Sequence, residues 1–301
     1  MSRERITDPL VSVVVATYKR ENSLKKAIQS LIEQTYKNIE IIVVDDNADK
    51  EWNQKVETLT QSFTDEKRLV YIQNKSNEGS ANSRNIGIDS ANGVYVTFLD
   101  DDDIYLPSKI ENQVKSMLEK DADYSLTDLD LYNEDETLSE HRKRTYLIDA
   151  EKTDLLKYHL MYHMTGTDTM MFKKDYLKKI DGFASIDVGD EFYLMLRAIK
   201  GNGKFDYVPL CDVKAYVHTG DGGLSSGDTK IAGENALYQY KKKYFDSLDH
   251  ATVRYINMRH HAVLAFAYLR MKNFGLTFKH GALSFLASPH MLIKLLLERK
   301  R

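Results

Sequence analysis

The sequence predicts an α/β fold: a parallel sheet with helices on both faces, followed by a helical C-terminal region. Three observations predict it. Apolar runs of strand length, Val11 to Ala16, Ile39 to Val44, Leu69 to Ile72 and Val94 to Leu99, alternate with segments whose apolar residues recur at helical spacing. Each run is followed by a polar turn, at Thr17 to Arg20, Asp45 to Asn47, Lys75 to Gly79 and Asp100 to Asp103, and a βαβ arrangement puts such turns at one edge of the sheet. From Ile231 onward only helical periodicity remains.

Leu24, Ala27, Ile28, Leu31 and Ile32 outline the first helix, which Asn22 or Ser23 is placed to cap. Val56, Leu59 and Phe63 outline a second, and Ser80 to Ser90 a third that stops near Gly93. The β-branched and aromatic residues from Val94 to Phe98 suit a buried strand. Pro107 is favourable near a first helical turn, and Lys109 to Lys120 reads as a helix. Tyr124 to Tyr132 reads as one strand, Asn133 to Arg144 as a charged connection, and Asp168 to Phe172 as a strand. In Glu191 to Lys200, Phe192, Met195, Leu196 and Ile199 share one helix face. Strands follow at Phe205 to Val208 and Val213 to Val217, then a glycine-rich loop from Gly220 to Gly227. Helices are expected over Ala232 to Phe245 and Thr252 to Met271. In Phe274 to Arg301, Lys279, His280, Pro289, His290 and Lys294 break an apolar pattern that ends in a basic cluster; a basic amphipathic helix of this kind can lie in a membrane interface, the alternative being a helix packed on the domain or on a second subunit.

Composition bounds the function. Charged residues are 29% and apolar residues 42%, ordinary for a globular protein, and a net charge of −3 gives no reason to expect a nucleic-acid partner. The single cysteine, Cys211, excludes an internal disulfide and fits a reducing compartment. The first residues show no apolar stretch of signal-peptide length, and no run of 18 apolar residues occurs. A cytoplasmic protein is expected, held at the cytoplasmic face of the membrane if the basic segment docks there.

The chemistry concentrates at Asp100 to Asp103. Four adjacent carboxylates repel one another unless water, a cation or a partner neutralises them. Hard cations such as Mg²⁺ share oxygen ligands between one or two carboxylates and substrate phosphates. A calcium loop is excluded, because Ile104 and Tyr105 stand where it needs a ligand and a glycine. Neither G-x-G-x-x-G nor G-x-x-x-x-G-K-[ST] is present, so phosphates bound here need a metal and side chains rather than a glycine-rich cradle.

Five stretches arrive in a telling order. Val11 to Arg20 is an opening strand with its turn; Ile41 to Asn47 reads like V-D-D-x-S; Asn77 to Gly79 with Ser83, Arg84, Asn85 and Gly87 reads like N-x-G-x-x-x-A-R-N-x-G; Phe98 to Asp103 reads like F-L-D-x-D-D; Asp190 to Arg197 reads like E-D-x-x-L-x-x-R with the two acids exchanged. Together they resemble an inverting family 2 glycosyltransferase with the GT-A fold, a mostly parallel sheet, over residues about 10 to 220. Ala16, where the family usually has Pro or Thr, is a small departure.

The resemblance implies a nucleotide-binding half over residues 1–105, an acceptor-binding half over 106–228 and a helical region over 229–301. It implies a UDP-linked sugar donor, a glycan or lipid-linked acceptor in cell-surface polysaccharide synthesis such as capsule, and Mn²⁺ or Mg²⁺. The nucleotide-binding residues it implies are Ala16, Thr17, Tyr18, Arg20, Asp45, Asp46, Asn77, Gly79, Arg84, Asp100 and Asp101. Among them Asp46 would accept a hydrogen bond from uracil N3–H and Tyr18 would flank the base. Asp102 matches the metal-binding aspartate, with Asp100 and His218 as further ligands. Arg84 would contact the nucleotide or diphosphate, or else form a surface salt bridge with Asp89 or Glu78. Glu191 matches the base that deprotonates the acceptor, with Asp190 beside it raising its pKa; alternatively both acids only favour a helix N-terminus. Ser225 and Ser226 would reach phosphate oxygens or merely lend flexibility, and His163, His260 and His261 read as structural. One rival, a sugar-nucleotide nucleotidyltransferase, needs a glycine-rich first turn that Thr17 to Arg20 does not supply; the other is a non-catalytic sugar-binding scaffold.

Overall fold

Val11–Thr17 and Ile39–Asp45 are apolar on both faces, which requires a sheet covered on both sides. The computed structural model describes residues 8–63, 68–186, 189–217 and 227–298. Among them the strands are β1 (Val11–Thr17), β2 (Ile39–Asp45), β3 (Leu69–Gln73), β4 (Tyr95–Phe98), β5 (Ile104–Tyr105), β6 (Tyr124–Thr127), β7 (Leu129–Asn133), β8 (Leu138–Arg142), β9 (Met170–Lys173), β10 (Phe205–Val208) and β11 (Val213–Val217). The helices are α1 (Asn22–Ile32), α2 (Lys50–Gln61), α3 (Ser80–Ser90), α4 (Lys109–Lys120), α5 (Asp154–Tyr162), α6 (Lys174–Lys179), α7 (Asp190–Lys200), α8 (Gly227–Lys242), α9 (His250–Arg270), α10 (Phe274–Ala287) and α11 (Pro289–Glu298).

The main sheet has the order β10-β6-β9-β4-β1-β2-β3, parallel except for β9, which runs antiparallel to both its neighbours. A second sheet has the order β5-β11-β7-β8. Helix α3 presses on β1 where Gly87 has no side chain: a Cβ there would lie 2.3 Å from Val14 Cγ1.

The single strand expected over Tyr124 to Tyr132 is two strands in different sheets. Asp128 breaks it: its N–H donates to the Leu210 carbonyl (3.0 Å), and its carboxylate accepts from Arg144 N–H (2.9 Å) and the Tyr207 hydroxyl (2.9 Å). The charged connection after Asn133 contains β8, paired antiparallel with β7 and exposed at every residue, so no apolar alternation announced it. The expected C-terminal helix is likewise two helices, α10 ending at Ala287 and α11 starting on Pro289, which has no N–H to continue the first.

The chain forms two compact units, residues 1–152 with 164–217, and residues 153–163 with 218–301. The first holds both sheets, and residues 1–105 and 106–228 each contribute strands to the larger one. The second contains α5 and α8 to α11. There α9 carries buried Ile256, Met258, Ala262, Leu264 and Ala267, and Arg259 donates to the Met161 carbonyl (2.9 Å). His260 Nδ1 donates to Glu234 Oε1 (3.0 Å) and the ring stacks on Tyr238, so it acts structurally. No single described helix is long and apolar enough to cross a membrane.

Candidate active site

β1 and β4 are paired in parallel, with Val14 opposite Phe98, so their C-terminal turns emerge side by side. Thr17 Oγ1 donates to Asp101 Oδ2 (2.7 Å) and Tyr18 N–H reaches the same oxygen (3.3 Å). Arg20 Nη1 lies 2.8 Å from Asp102 Oδ2, and its Nε 3.9 Å from Asp101. Two turns 84 residues apart are thus tied into one acidic rim. Burial pushes Asp101 up to about 7, reinforced by Asp102 and opposed by Thr17 and Arg20. Tyr18 is 46% exposed beside this rim, leaving its ring accessible.

At the end of β2 both acids are already engaged. Asp45 is fully buried and accepts from Asn47 N–H (3.0 Å), Asn47 Nδ2 (2.6 Å) and the Tyr71 hydroxyl (2.8 Å). Asp46 accepts from Asn74 Nδ2 (2.8 Å), Glu78 N–H (2.7 Å) and Gly79 N–H (2.9 Å), while Asn77 Nδ2 donates to its carbonyl (3.0 Å). Asp46 therefore fixes the loop that starts α3, and Gly79 adopts φ +80° to make that entry. Ala16 lies on β1 opposite Val44, one residue before the rim.

Beneath the rim lies an acid absent from the sequence reading as a site residue. Asp168 Oδ1 accepts from Asp100 N–H (2.6 Å), and Asp103 accepts from Tyr216 N–H (2.9 Å). Asp100, Asp103 and Asp168 each place a carboxylate oxygen within 4.8 Å of the others. Burial, compounded by repulsion between neighbouring acids, raises the pKa of both Asp103 and Asp168. Lys109 is fully buried below, donating to Thr97 Oγ1 (2.9 Å) and the Tyr105 hydroxyl (2.8 Å), and Tyr105 in turn donates to the Asp168 carbonyl (2.9 Å). An all-oxygen set of carboxylates with too few cations fits a hard divalent ion. The only sequence signal for Asp168 was an acid at the start of an apolar strand.

Arg84 joins this floor to α7. Its Nη2 lies 2.7 Å from Asp100 Oδ1 and its Nη1 2.7 Å from Asp190 Oδ2, 106 residues further on. Arg84 forms neither of the expected surface salt bridges, to Asp89 or Glu78; Lys178 lies 3.8 Å from Asp89 instead. Phe183 faces the guanidinium at 5.3 Å, and Asn85 exchanges two hydrogen bonds with the Phe183 backbone (2.9 Å each), so α3 also holds the segment leading into α7. Asp190 Oδ1 accepts from Glu191 N–H (2.9 Å). Burial, then the adjacent Asp190, pushes Glu191 up to about 8. His218, Ser225 and Ser226 lie outside the described residues.

The family profile of glycosyl transferase family 2 matches residues 12–180. The chain belongs to that family. An uncharacterized glycosyltransferase of Methanocaldococcus jannaschii is 34% identical over 222 residues, 72% of this chain and 74% of its own. Glycosyltransferase GlyA of Streptococcus pneumoniae is 35% identical over 132 residues, but this spans only 18% of that protein. Among solved structures, S. aureus TarS 1-349 in complex with UDP-GlcNAc has a TM-score of 0.59 at 16% identity, covering 90% of each chain. The mannosyltransferase PcManGT of Pyrobaculum calidifontis, in complex with GDP-Man and Mn²⁺, has a TM-score of 0.59 at 19% identity, covering 95% of this chain and 77% of its own. The family 2 transferase therefore has the GT-A fold, with the helical C-terminal region expected of it. It is a glycosyltransferase.

Proposed function

We propose that this transferase moves a sugar from a nucleotide diphosphate donor, UDP-linked, to a glycan or lipid-linked acceptor with inversion at the anomeric carbon, using Mn²⁺ or Mg²⁺. One observation carries this reading: Arg84 binds Asp100 of the acidic turn and Asp190 of α7 at 2.7 Å each, so the residues suited to the leaving group and the residue suited to the acceptor proton belong to one cluster.

Asp100, Asp103 and Asp168, whose carboxylate oxygens lie within 4.8 Å of one another, are a set that would hold the ion, and Asp102, paired with Arg20 at the rim and outside that set, would join it by turning from the arginine. The ion, when bound, supplies positive charge to diphosphate oxygens that become more negative as the sugar leaves. Tyr18 is placed to cover the base with its exposed ring, and Asp101, held by Thr17, to meet the ribose. Asp46 keeps its hydrogen bonds to Glu78 and Gly79 N–H while its carboxylate retains capacity for one further donor, the uracil imide N–H. Glu191 takes the proton of the acceptor hydroxyl as that oxygen bonds to the anomeric carbon; the bond from that carbon to the diphosphate oxygen breaks, and the nucleoside diphosphate departs. The free Cys211 is compatible with a reducing, cytoplasmic setting.

The test is release of UDP from UDP-GlcNAc, with Mn²⁺, Mg²⁺ or chelator present, in the wild type and in Glu191→Gln. Metal-dependent release that falls at least about a hundredfold in the variant is expected. Release unchanged by chelator and by Glu191→Gln would remove both assignments.

A further inference from the structure

Helix α10 is built inside out. Of its residues only Ser284 is buried, and its hydroxyl donates to the Met258 carbonyl of α9 (2.8 Å). Its large apolar side chains face outward: Phe274 is 70% exposed, Phe278 79% and Leu286 74%, with Phe285 and Leu283 also exposed. Phe274, Phe278 and Phe285 are spaced i, i+4 and i+11, which puts three rings on one stripe. In α11, Ile293, Leu296 and Leu297 are exposed at i, i+3 and i+4. Single exposed apolar residues need no explanation, but two consecutive helices turned apolar side out mark a surface that something covers.

Charge says what covers it. Residues 271–301 carry six basic side chains, Lys272, Lys279, Lys294, Arg299, Lys300 and Arg301, against one acid, Glu298. That segment is +5 in a chain of −3, so the other 270 residues together are −8. An apolar stripe flanked by lysines matches a surface that offers hydrocarbon beneath anionic groups. The geometry argues against a crossing. At 1.5 Å per residue, fourteen residues span about 21 Å, short of a hydrocarbon core of ~30 Å. The two helices are bent by 113° to one another, so they do not add up to one straight span.

We propose that α10 and α11 lie in the interface of a membrane rich in anionic lipid, with the phenylalanine and leucine side chains inserted and Lys279 and Lys294 among the headgroups. On the donor reading above, this places the transferase where a lipid-linked acceptor is held, and makes that class of acceptor its substrate.

Co-sedimentation tests the docking without requiring turnover, so its failure leaves the donor chemistry untouched. The full chain is mixed with vesicles of phosphatidylcholine alone, or with phosphatidylglycerol added, at low and high salt. Wild type is expected to pellet with the anionic vesicles, and binding should fall as salt rises. Phe278→Asp with Phe285→Asp, both exposed and therefore without cost to the fold, should lower binding at least about tenfold, and Lys279→Glu with Lys294→Glu by a similar factor. If wild type ignores both vesicles, or binds them equally with and without these substitutions, the proposal is overturned. A wild type that ignores vesicles but self-associates through this face, with Phe278→Asp restoring a single copy, would assign the surface to a second chain instead.

Discussion

Glu191 carries a carboxyl in a place that resists its charge, half-buried and next to Asp190, and its pKa rises from 4.5 to about 8. A base must be ionised to accept a proton, so kcat/KM should climb with pH and level off above about pH 8, where Glu191→Gln should lose about 10²–10⁴-fold, the loss shrinking as pH falls and the wild-type carboxylate is protonated. The stability effect has the opposite sign. The folded chain holds this proton more tightly than the unfolded one, so the group's contribution is fully present below pH 4.5 and is lost as pH rises toward about 8. Glu191→Gln should therefore gain Tm relative to wild type at pH 8 and show little difference at pH 4.5. Arg84 answers to different physics. It is a buried cation between two buried or half-buried carboxylates, and Arg84→Met leaves both facing each other without it. Urea unfolding should show a loss of about 3–5 kcal/mol. Arg84→Lys should recover little of it, because one ammonium does not reproduce a fork that meets two acids at once. An unchanged urea midpoint in Arg84→Met would mean the bridge contributes nothing to the fold.

Packing between α3 and β1 decides where that arginine stands. Gly87 lies one helical turn below it and lets the helix sit on Val14, so Gly87→Ala must push the two elements apart. A loss of about 1–3 kcal/mol in urea midpoint is expected, with donor affinity falling alongside because Arg84 moves too. Elements of this kind were legible in the sequence. The long apolar runs of β1, β2 and β4 and the helical spacing of α1 and α7 appear where periodicity put them, and α3 and α4 span the stretches expected to be helical. What was not legible had either too little apolar signal or too distant a cause. β5 has two residues, β8 is exposed throughout, and the strand break at Asp128 is made by Arg144, Tyr207 and Leu210, none of them local. The same limit hid the site's wiring. The acidic turn and Asp190 with Glu191 were visible as motifs, but Arg84 meets Asp190 across 106 residues and Asp168 meets Asp100 across 68, distances over which a single sequence carries no pairing information.

Across the whole molecule, charge is unevenly spread, and the unevenness organises function. Acids crowd the edge of the main sheet beyond what Arg20 and Arg84 neutralise, and that deficit is what a divalent ion and a diphosphate would complete together. Neither partner should then bind well alone. The most direct test is the melting temperature of the full chain in UDP, with and without Mn²⁺, for wild type and Asp102→Asn. A ligand at a hundred times its dissociation constant stabilises by about 2.7 kcal/mol, so the effect is readily seen. UDP should raise the Tm of wild type only when Mn²⁺ is present, and Asp102→Asn should lose most of the rise. An equal rise without Mn²⁺, or an undiminished one in Asp102→Asn, would contradict this.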